Sequence, residues 1–209
     1  MKKITIIDYG TSNLKSIDAA FKHLGYSTFI TNDKKKIINC DKLVLPGVGS
    51  FPVVKDYLKK KQLDLAIKQH IQNGKPFLGI CLGMQILFDK SYEFKETKGL
   101  GILKGEVKSL KEKDKTNKYL VPNTGWMLLK NNSAFKQKNI INHKKNIHCF
   151  FTHSFFVAPK DNSIVSSYFS FGKKLICASV QSKNIFGMQF HPEKSGKKGL
   201  DLLSKFSKT

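Results

Sequence analysis

Three residues, the first more than a hundred positions before the other two, have the types needed for nucleophilic attack by a thiol. The first is Cys81, set in Gly79-Ile80-Cys81-Leu82-Gly83 at G-x-C-x-G spacing, where an apolar run ends and a helical pattern begins. A sharp strand-to-helix turn needs small residues on either side of its crest and presents the crest residue above the sheet edge, as in a nucleophile elbow. A helix beginning there favours thiolate through its dipole, and the Leu82 N–H is aimed where an oxyanion would form. The pentapeptide alone also suits a buried core cysteine flanked by structural glycines, because free cysteine is a common core residue. The strand–turn–helix setting favours the nucleophile. Cys40, Cys149 and Cys177 have no such setting and read as core residues.

A thiol nucleophile needs a base, and the base needs an orienting group. Of six histidines, His191 stands out: it ends the run Phe186-Gly187-Met188-Gln189-Phe190 and is followed by Pro192-Glu193. In an extended segment residues i and i+2 project to the same side, so Glu193 can reach His191 and fix its tautomer. His-Pro-Glu alone also fits an ordinary strand end and turn. His23, His70 and His143 sit in lysine-rich surroundings and read as surface residues; His148 and His153 flank a strand and read as partly buried. The chemistry also calls for a second oxyanion donor. Leu45-Pro46-Gly47-Val48-Gly49-Ser50-Phe51 follows an apolar run and exposes backbone N–H groups. Its G-x-G lacks the third glycine of a dinucleotide fingerprint, so a donor role opposite Leu82 is preferred over a phosphate cradle.

The elements that must position these groups follow from periodicity. Ile4–Ile7, Ser27–Ile30, Leu43–Leu45 and Pro76–Ile80 read as strands, the first as a strand buried on both faces. Leu14, Ile17, Phe21 and Leu24 lie on one face of a helix stopped by Gly25; a single helix is predicted from about Val53 to Asn73, and another from Leu82 to Phe88. Alternating strands and helices imply an α/β fold: three layers, a mostly parallel central sheet and helices on both faces. The second half is strand-rich, with candidates at Ile102–Val107, Ile147–Thr152, Ile164–Phe169, Ile176–Gln181 and Ile185–Phe190, then a helix from about Lys197 to Phe206. Lys111 to Lys118 reads as a charged surface loop or hairpin tip. No linker or repeat divides the chain, so residues 1–209 are expected to form a single domain.

The formal net charge is +22, and all 37 basic residues are lysine. Base and phosphate recognition favours the forked guanidinium of arginine, and these lysines are spread along the chain. A solvated surface is therefore preferred over nucleic-acid binding. No C-x-x-C pair or zinc-ligand spacing occurs, and the apolar run Ile4–Ile7 is cut by Asp8 too soon for a signal peptide. No stretch approaches the ~18 apolar residues of a membrane span. No metal, no membrane and no nucleic acid are expected, and a cytoplasmic location is.

The segments I-D-Y-G-T-S-N-L-K-S, L-P-G-V-G-S-F, G-I-C-L-G-M-Q-I-L-F, G-L-G-I-L, F-F-T-H-S-F and F-G-M-Q-F-H-P-E-K-S-G together resemble class I glutamine amidotransferases, and within them the glutaminase subunit of imidazole glycerol phosphate synthase. The resemblance covers essentially the whole chain. It implies a flavodoxin-like fold, a Cys81–His191–Glu193 triad that hydrolyses glutamine to glutamate, and ammonia passed to a (β/α)8-barrel synthase subunit in histidine biosynthesis, with no cofactor. It further implies an oxyanion hole from Leu82 and Val48, with Val48 turning its N–H inward only when the partner carries its ligand. Glutamine would be held by Gly47, Gly49, Gln85, Glu93, His153 and Ser154. Asn13, Asn123, Trp126, Phe150 and Lys194 would face the partner. One segment departs from the family's P-H-x-G-W-N: Pro122-Asn123-Thr124-Gly125-Trp126-Met127. That leaves open a paralogous subunit feeding a sugar-modifying synthase for cell-surface glycans. A free-standing cysteine hydrolase and a basic binding protein with a dead site are the readings from other classes.

Overall fold

A computed structural model describes residues 3–10, 13–111, 120–136 and 147–209. His143 and nearly all of the loop expected at Lys111 to Lys118 lie outside the described residues. In chain order the elements are β1 (Lys3–Ile7), α1 (Leu14–His23), β2 (Ser27–Thr31), α2 (Lys34–Asn39), β3 (Lys42–Leu45), α3 (Phe51–Lys60), α4 (Leu63–Gln72), β4 (Phe77–Ile80), α5 (Leu82–Gln85), β5 (Lys90–Ser91), β6 (Thr97–Lys98), β7 (Gly105–Ser109), β8 (Asn123–Asn131), β9 (Ile147–His153), β10 (Phe155–Pro159), β11 (Val165–Phe171), β12 (Lys174–Ser182), β13 (Ile185–Met188) and α6 (Gly196–Ser207). Short 3-10 turns cover Asn162–Ile164 and Pro192–Lys194.

The main sheet runs β2-β1-β3-β4-β13-β12-β11-β8-β9. Its first five strands are parallel and the rest antiparallel, so the sheet is mixed. Ile17 and Phe21 of α1 and Leu202, Leu203 and Phe206 of α6 pack on one face. Ile37 of α2, Val54 and Leu58 of α3 and Ile67 of α4 pack on the other, together with a smaller sheet ordered β10-β7-β5-β6. Among the described residues no helix is long and apolar enough to cross a membrane.

The single helix expected from Val53 to Asn73 is two. Gln62 adopts φ +54° and separates α3 from α4. Buried Leu58 and Leu63 are five residues apart, which breaks the three-or-four spacing of one apolar face. The break lets each helix bury its own stripe. The helix expected from Leu82 to Phe88 stops at Gln85. Residues 100–103 run alongside and donate their N–H groups to the carbonyls of Ile86, Leu87 and Phe88, taking the acceptors that further helical turns would use. Gly99 permits this approach, since a Cβ there would overlap the Phe88 carbonyl.

Strand β2 follows β1 on one side of the sheet and β3 lies on the other. The crevice between β1 and β3 is thus the switch point beside which α/β sheets bind ligands, at the strands' C-terminal ends. The loops after β1, β3, β4 and β13 meet there.

Candidate active site

Cys81 sits between β4 and α5 with φ +51° and ψ −108°. A non-glycine residue in that region costs about 1–3 kcal/mol and persists only when its surroundings impose it. Here they do. The Cys81 N–H donates to the Met188 carbonyl at 2.6 Å. A Cβ on Gly79 would lie 2.5 Å from the Gly83 oxygen, one on Gly83 would overlap the Leu45 carbonyl, and one on Gly47 would overlap the backbone of Ile80 and Leu82. The three glycines let three backbone segments close around the cysteine.

Parallel pairing brings the distant histidine to it. Ile80 of β4 is in register with Met188 of β13, so the residues just beyond each strand emerge side by side. His191 and Cys81 line one cavity of about 300 Å³, at the small end of the range for small-molecule sites. His191 Nδ1 and Glu193 Oε1 are 2.8 Å apart, both side chains 1 % exposed. With the Nδ1–H donating to the carboxylate, the remaining nitrogen, Nε2, is the basic one. It has no hydrogen-bond partner and has the Cys81 sulfur as its neighbour. Burial alone would lower the His191 pKa, but the sulfur and the Glu193 carboxylate outweigh it and hold the imidazolium above its ordinary range. Burial likewise opposes ionised Glu193; the His191 imidazolium and the Asn13 amide hold its pKa below the ordinary range. His191 and Glu193 approach through the 3-10 turn at Pro192–Lys194 rather than in the extended geometry expected, with Pro192 starting the turn.

The glycine loop lies over the elbow, with Gly47, Val48 and Gly49 all lining the cavity. The Val48 N–H does not point to a free donor position. It donates to the Tyr9 phenol oxygen at 3.2 Å, while that phenol donates to the Pro46 carbonyl at 2.7 Å.

The sequence pattern of the class-I glutamine amidotransferases matches residues 5–208 of this chain. The chain belongs to that family. Among its relatives is a protein of Lactococcus lactis described as imidazole glycerol phosphate synthase subunit HisH, 42 % identical over 206 residues, which cover 99 % of this chain and 98 % of that one. A protein of Aquifex aeolicus with the same description is 42 % identical over 209 residues, covering 99 % and 96 %. Solved structures share the fold at lower identity. The crystal structure of a glutamine amidotransferase superposes with TM-score 0.71 at 15 % identity, over 97 % of this chain and 98 % of that one. PurLQS of Thermotoga maritima does so with TM-score 0.70 at 22 % identity, over 99 % and 98 %.

In this amidotransferase the other residues expected to touch glutamine, Gln85, Glu93, His153 and Ser154, also line the cavity. Glu93 accepts the Phe51 N–H at 2.7 Å, capping α3 from outside, and its burial raises its pKa. Gln85 gives its amide hydrogens to Phe155 O at 2.9 Å and Gln189 Oε1 at 3.2 Å, leaving its carbonyl oxygen as the acceptor for a ligand. Of the residues expected to face a partner, Trp126 and Lys194 are exposed and Phe150 is half-buried, its ring meeting Trp126 edge-on at 6.1 Å. Asn13 and Asn123 are instead buried. Asn13 donates to Glu193 Oε1 at 2.8 Å, and Asn123 donates to His153 Nε2 at 3.2 Å. The departure at Asn123 therefore turns inward. His70, read as a surface residue, is fully buried between the carbonyls of Ile37 and Pro76, and His148 is exposed.

His153 donates Nδ1–H to Phe155 O at 2.8 Å and accepts from Asn123 through Nε2, so its neutral form is the one the site fits. Burial, aided by the charge of His191, lowers its pKa to about 4 from 6.5. Between those values the unfolded chain binds a proton that the folded chain refuses, so stability falls as pH falls. A drop from pH 7 to 4 is expected to cost about 3 kcal/mol from this group. Urea melts across that range should show the slope, and His153→Gln should flatten it, leaving the smaller part contributed by His70, which burial also lowers.

Proposed function

We propose that this chain is the glutaminase subunit of an imidazole glycerol phosphate synthase, folded as one domain, and that Cys81, His191 and Glu193 do its chemistry. The observation that carries this is the cavity in which His191 Nε2, unpartnered, neighbours the Cys81 sulfur while Nδ1 is held by buried Glu193. Glutamine enters with its side-chain amide over Cys81, its α-ammonium toward Glu93 and the Gln85 oxygen. His191 takes the thiol proton, the resulting thiolate attacks the amide carbon, and the imidazolium then delivers the proton to nitrogen as ammonia leaves. Water, deprotonated by His191, hydrolyses the thioester to glutamate. Leu82 and Val48 N–H groups stabilise both tetrahedral oxyanions. Exposed Trp126 and Lys194 lie on the face that meets a (β/α)8-barrel synthase subunit, which receives the ammonia.

Histidine biosynthesis is favoured over the glycan pathway by full-length likeness at about 40 % identity to proteins described as that synthase's subunit. The segment that argued for a different partner buries its altered Asn123 against His153, away from the surface.

In the resting geometry Val48 N–H is held by Tyr9, so one oxyanion donor is missing until the partner reorders the loop. Supplying such a donor is worth roughly 10²-fold in kcat. Glutaminase turnover is therefore expected to rise by that order when a cyclase loaded with its phosphoribosyl ligand is added. Tyr9→Phe removes a hold of about 1 kcal/mol and is expected to raise partner-free turnover about five-fold, with KM unchanged. Full activity of the isolated chain, insensitive to any synthase, would indicate a free-standing hydrolase.

A further inference from the structure

A fully buried glutamine next to the nucleophile has no part in the chemistry above. Gln189 lies between β13 and His191, fully buried, with a polar partner at each end of its side-chain amide. Its Nε2 is 3.5 Å from the Cys81 sulfur, and its Oε1 is 3.2 Å from Gln85 Nε2. The direction of these bonds is fixed from the far end. The Phe155 carbonyl can only accept, so the group of Gln85 that meets it at 2.9 Å is the amide nitrogen. Gln85's second amide hydrogen then goes to Gln189, which must present its oxygen there. Its own N–H is left facing the sulfur. Among the described residues that sulfur also has His191 Nε2 as a neighbour and the Thr152 carbonyl at 4.0 Å, an acceptor suited to the neutral S–H. Beside the His191 imidazolium, Gln189 is thus a second side-chain donor in place for the anionic form.

We propose that Gln189 is a further active-site residue of this amidotransferase, donating a hydrogen bond to the Cys81 thiolate and locking Gln85 with its oxygen toward the bound substrate. The proposal rests on Cys81 being the nucleophile. Before attack the N–H stabilises sulfur anion; as the C–S bond forms, negative charge leaves sulfur for the carboxamide oxygen and the contact weakens. Together with His191, the donor therefore favours the reactive anionic sulfur. Through its other end, the same amide sets which face of Gln85 the substrate meets.

Two variants separate these roles. Gln189→Met keeps the volume and removes both polar contacts. Gln189→Glu keeps an acceptor for Gln85 but turns a carboxylate toward sulfur. Carbamidomethylation of Cys81 by iodoacetamide, followed as a function of pH by mass spectrometry of its peptide, reads the thiolate directly. A hydrogen bond to a charged group is worth enough to slow alkylation near neutral pH roughly 10-fold in Gln189→Met, with the rate recovered at higher pH. Gln189→Glu should shift the profile at least as far. In the complex with the synthase, Gln189→Met should lower kcat and raise KM for glutamine, whereas Gln189→Glu should lower kcat with little change in KM. Melting temperatures identify a variant that fails to fold, and the Gln189→Glu profile then stands as the test. Folded variants with wild-type alkylation profiles would overturn the proposal while leaving Cys81 as nucleophile. A wild-type Cys81 that a glutamine-like electrophile never labels would overturn the underlying reading instead.

Discussion

Cys81→Ala, assembled with its synthase subunit, is expected to lose glutamine-dependent synthesis by roughly 10⁴-fold or more while using added ammonium as well as the wild type. The substitution is clean because the strain at the elbow belongs to the backbone. Cysteine and alanine both carry a Cβ at φ +51°, so the local conformational cost is the same, and the clasp of Gly47, Gly79 and Gly83 around the turn is unaltered. What is lost is the sulfur. The Gln189 N–H that faced it can be met by water from the open cavity. The remaining oxyanion donors cannot compensate, because with no nucleophile no covalent intermediate forms and His191 has no thiol proton to move. Parallel assays of the assembled pair with glutamine and with ammonium chloride decide the matter. Loss of both activities would mean that the chain does more than supply ammonia.

The turn at Cys81 was legible because an elbow is a local device: small residues at fixed offsets around one cysteine at a strand end. His191 was legible for a different reason, since a histidine closing an apolar run and followed by Pro-Glu carries its own orienting group. Their meeting was implied by the family resemblance but not by spacing along the chain. It depends on β13 lying beside β4 although more than a hundred residues separate them, and that order is set by how the sheet buries its two faces. The parallel half of the sheet followed from strands alternating with helices. Strand β8 is absent from the expected strands; Asn123 and Gly125 disfavour strand by type, yet the tertiary pairing with β9 holds them extended. The break between α3 and α4 was visible in the five-residue gap between Leu58 and Leu63, a phase slip that a single-helix reading passes over. Gln189 left a fainter trace, a lone amide in the apolar run before His191, and Asn13 left none that residue type alone could separate from a surface position. Side chains that act through other side chains are chosen by distance in the folded molecule, which spacing along the chain does not encode.

Glu193→Gln is expected to lower kcat by roughly 10²-fold, less than loss of the sulfur, and to do so without disturbing the geometry. Glu193 Oε1 receives two hydrogens, from Asn13 Nδ2 and from His191 Nδ1, each at 2.8 Å, while Oε2 has no partner. An amide can satisfy the same pattern by placing its oxygen at Oε1 and its NH₂ at the unpartnered position. Asn13, which donates from Nδ2 in this structure, favours that orientation and so helps preserve the histidine tautomer. The effect is then the missing charge: nothing balances the imidazolium that forms when His191 takes the thiol proton. The charge also has a signature in stability. His191, with a raised folded pKa, contributes stability that is present below 6.5 and lost as pH rises through that folded value. Glu193, with a lowered one, contributes stability that is present above 4.5 and lost as pH falls through its folded value. Between these limits the pair holds the β13 end onto α1, and Glu193→Gln should flatten the stability profile at both. Asn13→Ala removes the orienting donor, so Asn13→Ala/Glu193→Gln should fall further than the product of the single effects, because the amide is then free to turn its NH₂ toward His191 and force the wrong tautomer. Strict additivity in kcat across that cycle would show that Asn13 packs beside the carboxylate without governing it.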